Sequence, residues 1–386
     1  MKAKPKRQSN RAPQFIAPAH SYTYRPTGAR QAVRGRNQPE KPKRNWRGII
    51  RRSLLVLLAL IIIAGGWVGW SFIKNEVQIF GWRGLIGLIK PEKLNGEDQG
   101  RVNILLAGNS RDDPNHGGAN LTDSIMVLSI NTRNHSGFML SIPRDLYVNI
   151  PGDDYGKINE VYQQGLRQHT AESSDAGAGM QLLGQVVSHS LGIPIHYYAL
   201  VDYSALRQAT DAVGGIDITI NSSDPRGLYD PSPDLANNRQ PLVDLPNGPV
   251  HLDGVQALGL ARARGDHRGS YGYASGDFTR TANQRMIILA LKNKGTSLGT
   301  LANPLKLGQL FDAMGDNVQT DLTLGNVRRL YNLGKDIPNS KITSAGLTDE
   351  TLLKSRYIGG AYTLVPTAGL SDYSDIQAYV AQLLAQ

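Results

Sequence analysis

Four arginines stand in two segments far apart in the chain: Arg144 in Ser-Ile-Pro-Arg-Asp (141–145), and Arg262, Arg264 and Arg280 in ARARGDHRGSYGYASGDFTRTANQ (261–284). Each segment also carries an acid, Asp145 or Asp277. A guanidinium stays charged at working pH and offers a planar fork of donors that matches phosphate oxygens. Arginines clustered with carboxylates therefore point to a site for a highly anionic group, a diphosphate with a metal ion foremost. Arg262 and Arg264 alternate, which in an extended stretch puts both on one face. Asp277, Arg280 and Gln284 are spaced to share one helical face, although an intrahelical Asp–Arg pair with a cap is the plainer reading of the first two.

Three further segments could complete such a site. Leu106 to Arg111 runs from an apolar stretch into the polar turn Asn109-Ser110-Arg111, and the carboxyl ends of strands are where open α/β sheets bind ligands. Asp123 directly precedes another strand-like run, where one or two carboxylates plus substrate phosphates would suit Mg²⁺. Turn formation is the plainer role for Asn109 and Asp123 taken singly. Lys157 opens the helix that follows Ser141–Asp145 and could add a donor.

The elements that must position these residues follow from apolar patterning. Val102 to Ala107 reads as a buried strand, followed by strands at about 124–130 and 136–142 around the turn Asn131-Thr132-Arg133-Asn134. Helical patterns lie near 157–168, 178–191, 203–213, 253–261, 279–294, 304–314, 323–334, 349–355 and 374–384, with strands near 196–201, 216–220, 341–346 and 361–365. Residues 222–249, crowded with Pro, Asp, Asn and Gly, read as a long surface loop, and 265–276 as a Gly- and Tyr-rich one. The alternation predicts an α/β or α+β fold: one domain, a central mixed sheet flanked by helices.

The chain has 386 residues and a net charge of +10. That charge sits in residues 1–52, which hold 15 Lys/Arg and one acid, leaving 27 basic against 31 acidic residues downstream. The arm is rich in Pro, Arg, Asn and Gln and reads as disordered, with topology and attraction to anionic headgroups as its role. Residues 53–73 carry no charge and, as a helix, span roughly 31 Å, the thickness of a bilayer core. The basic excess before this anchor predicts a cytoplasmic N-terminus and an extracytoplasmic region after Lys74, with 74–100 as a connecting helix or stalk and 101–386 as the domain. The acidic exported body excludes nucleic acid as a partner. No cysteine is present, which fits an exported domain without disulfides as well as a cytosolic one.

Taken in order, these motifs resemble the LytR-CpsA-Psr cell-wall glycopolymer ligases. The residues that carry the resemblance are Gly108-Asn109-Ser110-Arg111, Leu121 to Ile125, Ser141 to Asp145, Lys157 to Tyr162, Arg262-Ala263-Arg264, and Gly276-Asp277-Phe278-Thr279-Arg280 with Gln284. The resemblance implies transfer of a glycopolymer from a polyprenyl-pyrophosphate carrier to a peptidoglycan sugar hydroxyl, forming a phosphodiester. It implies Mg²⁺, held by Asp123 and Asn109, and an apolar pocket for the lipid. Arg144, Arg262, Arg264 and Gln284 would bind the pyrophosphate, with Lys157 and Arg111 as additional donors. Arg144, Arg280 and Asp277 would act at the reacting phosphate, a base role for Asp277 being one possibility. Two positions depart from the pattern: Asn109 stands where the family has aspartate, and Leu121 where it has arginine. A pyrophosphatase acting on the same lipid-linked diphosphates, and a lipid-glycan-binding protein with weakened turnover, are the alternative functions.

Overall fold

The five apolar residues of the stretch Val102–Ala107 alternate toward two different cores, so the strand they form must be covered on both faces. The computed structural model describes residues 92–112, 120–168, 176–234, 240–274, 276–297, 315–347 and 350–386, all within one compact unit. In chain order the elements are β1 (Arg101–Gly108), β2 (Ser124–Asn131), β3 (Ser136–Ile142), β4 (Tyr147–Asn149), β5 (Tyr155–Lys157), α1 (Val161–Gln168), α2 (Ala176–Leu191), β6 (Tyr197–Val201), α3 (Tyr203–Ala212) and β7 (Ile216–Ile220). They continue with β8 (Leu228–Asp234), β9 (Gln240–Leu245), β10 (Gly248–Leu252), α4 (Gly254–Arg262), α5 (Asp277–Ser297), β11 (Val318–Thr320), α6 (Leu324–Gly334), β12 (Ile342–Gly346), β13 (Leu353–Ile358), β14 (Ala361–Pro366) and α7 (Ser374–Leu384).

The central sheet is six-stranded and mixed, in the order β11-β6-β1-β2-β3-β12. β1 is parallel to β6 and antiparallel to β2, which is antiparallel to β3, and β12 is parallel to β3. The carboxyl ends of β1, β3, β6 and β12 therefore share one edge, where β2 begins. On one face Leu105, Val127, Phe138 and Leu140 pack against Met180, Leu183 and Val187 of α2 and Ile376 and Val380 of α7. On the other, Val102 and Ile104 meet Leu94 and Leu333 of α6. Toward the far side of that face Arg285 of α5, itself buried, donates from Nε to Ser344 Oγ (2.8 Å) and from Nη1 to Ser141 Oγ (2.7 Å).

A second core holds Ile216 and Ile218 of β7, Leu228 of β8, Val243 and Leu245 of β9, Leu260 of α4 and Ile287 of α5. This corrects the expected loop at 222–249, which is instead a β8–β9 hairpin leading into β10. Pro231 and Pro233 hide the strand from composition, yet a two-stranded ribbon tolerates them because the pairing is irregular between Asp230 and Pro233. The expected helix at 349–355 is also corrected: Leu353–Ile358 pairs with β14 as a hairpin. Its helical reading rested on a short apolar cluster, whereas Lys354, Ser355, Arg356 and Tyr357 are exposed and Leu353 is buried. The helix expected at 304–314, the arm at 1–52, the apolar run at 53–73 and most of the connecting segment at 74–100 lie outside the described residues. Among the described residues, no helix is long and apolar enough to cross a membrane.

Candidate active site

The pairings of the central sheet bring the motifs together. Ile125 of β2 faces Ile142 of β3, so Asp123, two residues back, falls beside Arg144, two residues on. Arg144 Nη1 donates to Asp123 Oδ1 at 2.9 Å, and Asn159 Nδ2 donates to the same oxygen at 3.2 Å. Burial works to raise the Asp123 carboxyl, but the charge and hydrogen bond of Arg144, then Asn159 and Arg280, hold it below the usual carboxylate range. Arg144 feels the reciprocal effect: burial opposes its charge, and Asp123, Asp277 and Asp145 raise it above the ordinary guanidinium value.

Gly276, at φ 48° in the left-handed region, turns the chain into α5 and accepts Arg280 N–H at 3.1 Å. Asp277 then sits in the first turn, where a carboxylate is favoured by the helix dipole, and meets Arg280 Nη2 at 2.9 Å. The plainer intrahelical pair thus exists, but it is part of a larger cluster. Asp277 Oδ1 also lies 3.4 Å from Arg264 Nε and 3.9 Å from Arg144 Nε. None of these three contacts is aligned as a hydrogen bond to Oδ1, and Arg144 Nε and Arg280 Nε are buried without a hydrogen-bond partner. Three guanidiniums thus converge on one carboxylate. Arg280 is 4% exposed; burial and the neighbouring Arg264 and Arg144 lower its pKa against the pull of Asp277 and Asp123. Its Nη2 also donates to the Asp123 carbonyl at 2.9 Å, tying α5 to the entry of β2.

Arg262 is not extended beside Arg264, as the alternation suggested. It closes α4, and Ala263 adopts the extended conformation that turns Arg264 toward Asp277. Arg262 Nη1 lies 3.5 Å from Asp234 Oδ1, and its guanidinium stands 4.9 Å from the ring centroid of Tyr203. Gln284 bridges α4 and the sheet, donating to Ala261 O (2.9 Å) and accepting from Ser124 Oγ (2.7 Å).

Arg262, Arg264, Arg280 and Gln284 line one cavity with Asn109, Asp123 and Asp202; its volume is about 280 Å³. Aliphatic side chains line the same cavity: Leu206 of α3, Leu242 of β9, Leu258 of α4, and Ile287 and Ile288 of α5. Arg144 reaches this cavity through Asp123 rather than lining it. Two expected donors stand apart. Lys157 ends β5 and, as expected, opens the helical segment that follows, capping the 3-10 turn Ile158–Glu160 that runs into α1; its Nζ is held by Asp145 at 2.6 Å. Arg111 lies 3.8 Å from Asp202. Helix α2 does not line this cavity and packs its apolar residues in the core, whereas α5 contributes to both a core and the cavity lining.

Asn159, Asp202, Tyr203 and Asp234 are the site residues that sequence reasoning missed. Asp202 reads as an ordinary cap of α3, Asp234 was hidden in the Pro-rich stretch, and Asn159 carried a signal only through its place in Lys-Ile-Asn. Arg144 and Asn159 both donate to Asp123 Oδ1, which leaves Oδ2 for a divalent cation, and the neutral Asn109 Oδ1, which accepts Arg111 N–H at 3.4 Å, is the neighbouring oxygen. This donor set fits Mg²⁺, a hard cation that keeps several ligands from water and phosphate. Among the described residues, no group of three or more His, Cys, Asp or Glu is placed to hold a metal by itself.

A mixed sheet with a cavity at its carboxyl edge, lined by arginines and aliphatic side chains, is the arrangement of an α/β ligand-binding protein. The chain belongs to the LytR_cpsA_psr family, whose model matches residues 87–376. It is 33% identical over 234 residues to the polyisoprenyl-teichoic acid–peptidoglycan teichoic acid transferase TagU of Oceanobacillus iheyensis, a match covering 61% of this chain and 63% of that relative. It is 26% identical over 314 residues to the transferase of the same description, TagV, of Bacillus subtilis, covering 79% and 72%. The crystal structure of B. subtilis TagV has the same fold, with a TM-score of 0.55 at 24% identity over 74% of this chain and 97% of that one. A structure of TagT bound to LI-WTA matches with a TM-score of 0.54 at 21% identity, over 75% and 92%.

Proposed function

We propose that the protein transfers a glycopolymer from a polyprenyl-pyrophosphate carrier to a peptidoglycan sugar hydroxyl, as the names of its relatives describe for them. The observation that carries this reading is the mixed lining of the cavity, arginines together with aliphatic side chains. Arg262, Arg264 and Arg280 grip the diphosphate, and Leu206, Leu258 and Ile288 take the first isoprene units. Arg144 and Arg280 stabilise charge that develops as the hydroxyl oxygen attacks the glycan-side phosphorus and the bond to the bridging oxygen breaks, releasing polyprenyl phosphate. Asp277 orients the three guanidiniums. The attacking hydroxyl loses its proton late, to solvent, as a loose transition state allows.

Asp123 and Asn109 would hold Mg²⁺, which when bound supplies further charge neutralisation at the phosphate oxygens. Residues 53–73 anchor the protein in the membrane in this reading, with the domain outside, where both the lipid carrier and the wall are present. The test is a reconstituted assay with a polyprenyl-diphosphate glycan, Mg²⁺ and peptidoglycan. A phosphodiester product that requires the acceptor supports ligation. Phosphate release in water without acceptor makes the protein a pyrophosphatase, and protection of the donor without product makes it a binding protein.

A further inference from the structure

One acid at the edge of the sheet is left idle by that reading. Gly108 is paired with Val201 of β6 and with Ser124 of β2, so the next residues along, Asp202, Asn109 and Asp123, stand side by side across three neighbouring strand ends. With strands about 4.8 Å apart, the two aspartates are separated by roughly 10 Å of backbone. A carboxylate oxygen lies about 3.5 Å from its own Cα and Mg²⁺ takes oxygens at about 2.1 Å, so two aspartate arms can close that span on one cation above Asn109.

Asp202 and Asn109 are each 3% exposed and both line the cavity. Asp202 Oδ2 is buried without a hydrogen-bond partner, and Asn109 Oδ1 accepts Arg111 N–H at a long 3.4 Å. The other Asp202 oxygen caps α3, accepting Ala205 N–H at 3.0 Å. Arg111 Nη2 stands 3.8 Å from Oδ2, beyond hydrogen-bond distance. Capping uses one oxygen and is served as well by asparagine, so it does not account for a buried carboxylate at the cavity whose second oxygen has no hydrogen-bond partner.

Resting on the proposed Mg²⁺-assisted transfer, we infer that Asp202 supplies the second carboxylate of the cation site, making up for the charge that Asn109 does not bring. The ion is held between Asp123 and Asp202, and the Asn109 amide oxygen completes the protein's share of the ligands.

Mn²⁺ binding to the purified full chain, followed by electron paramagnetic resonance, tests this. Asp202→Asn keeps the cap and is expected to weaken Mn²⁺ binding at least tenfold, as Asp123→Asn does, with the metal-free thermal midpoint unchanged. Adding Asn109→Asp to the Asp202→Asn protein should restore binding by returning a second carboxylate. If Asp202→Asn binds Mn²⁺ as tightly as the parent, the inference fails while cation-assisted transfer stands. If the parent binds no Mn²⁺, the inference and the Mg²⁺ part of the proposed function fail together.

Discussion

Arg144 and Asp123 lie 21 positions apart, one beyond the end of β3 and the other before the start of β2, and their side chains meet at 2.9 Å. The antiparallel pairing of β2 with β3 makes that meeting unavoidable, because residues equidistant from a paired position on antiparallel neighbours converge. The ion pair ties Arg144 to the cavity through Asp123, which lines it. It also makes Arg144 a sensitive position for turnover. Arg144→Ala is expected to lower the transfer rate by about 10² to 10³, the usual cost of losing one donor to a developing anion. Arg144→Lys keeps the charge without the fork and should fall between. Single-turnover rates on a reconstituted donor would show it; a lysine variant as slow as alanine means that fork geometry, not charge, is what matters.

The aliphatic lining predicts a dependence on carrier length. Affinity for a series of polyprenyl phosphates should rise with chain length by about 0.8 kcal/mol per buried methylene until the lining is filled. Leu206→Trp narrows the cavity at an aliphatic position and leaves the arginines in place, so it should flatten this dependence with little effect on the shortest ligand. Calorimetric titration along the series checks both slopes, and an unchanged slope in the variant would place the lipid elsewhere.

Arg285 is a structural counterpart to the site arginines. Arg285→Met removes the donors to Ser344 and Ser141 and leaves the Ser141 hydroxyl in the interior, while Ser344 is exposed. At about 1.5–3 kcal/mol for each hydrogen bond to a charged group, partly offset by the loss of a buried charge, a destabilisation of about 3 kcal/mol is expected. Chemical denaturation should show a lower midpoint with an unchanged slope.

Acid stability should respond to Glu97, which ties the turn before β1 to α6. Its hydrogen bond with Arg329 lowers the carboxyl's pKa, burial opposes this, and the Leu94 amide adds to the lowering. A depressed folded-state value means the stabilisation is complete above the unfolded value of about 4.3 and is lost as pH falls through the lower folded value. Glu97→Gln should lose stability at neutral pH and show a shallower decline below pH 4. Thermal midpoints from pH 2 to 7 would reveal it, and parallel curves for the two proteins would rule out this contribution.

Much of the fold was legible because the period of hydrophobicity survives locally. β1, β2, β3, α3, α6 and α7 emerge near their predicted places, since each buries a face through its own alternation. The β8–β9 hairpin and β13 were not legible. Proline-rich pairing and a hairpin with one exposed flank leave little periodic signal, and cross-strand partners are not visible from one segment. The same limit hid Asp234, whose contact with Arg262 depends on that hairpin.

The sequence by itself determined which groups are present: permanently charged arginines, the acids that accompany them, a neutral Asn109 in the row of polar residues, and the apolar patterns that make strands and helices. Tertiary structure decided how they combine. Strand register sets Arg144, Asp123, Asn109 and Asp202 in one line, and the start of α5 brings Arg144, Arg264 and Arg280 around Asp277. It also showed that Lys157 is committed to Asp145 and that Arg262 faces Asp234. The physical reason is range: side-chain chemistry and backbone periodicity act within a few residues, whereas the field inside a cavity is the sum of charges delivered by segments more than a hundred positions apart.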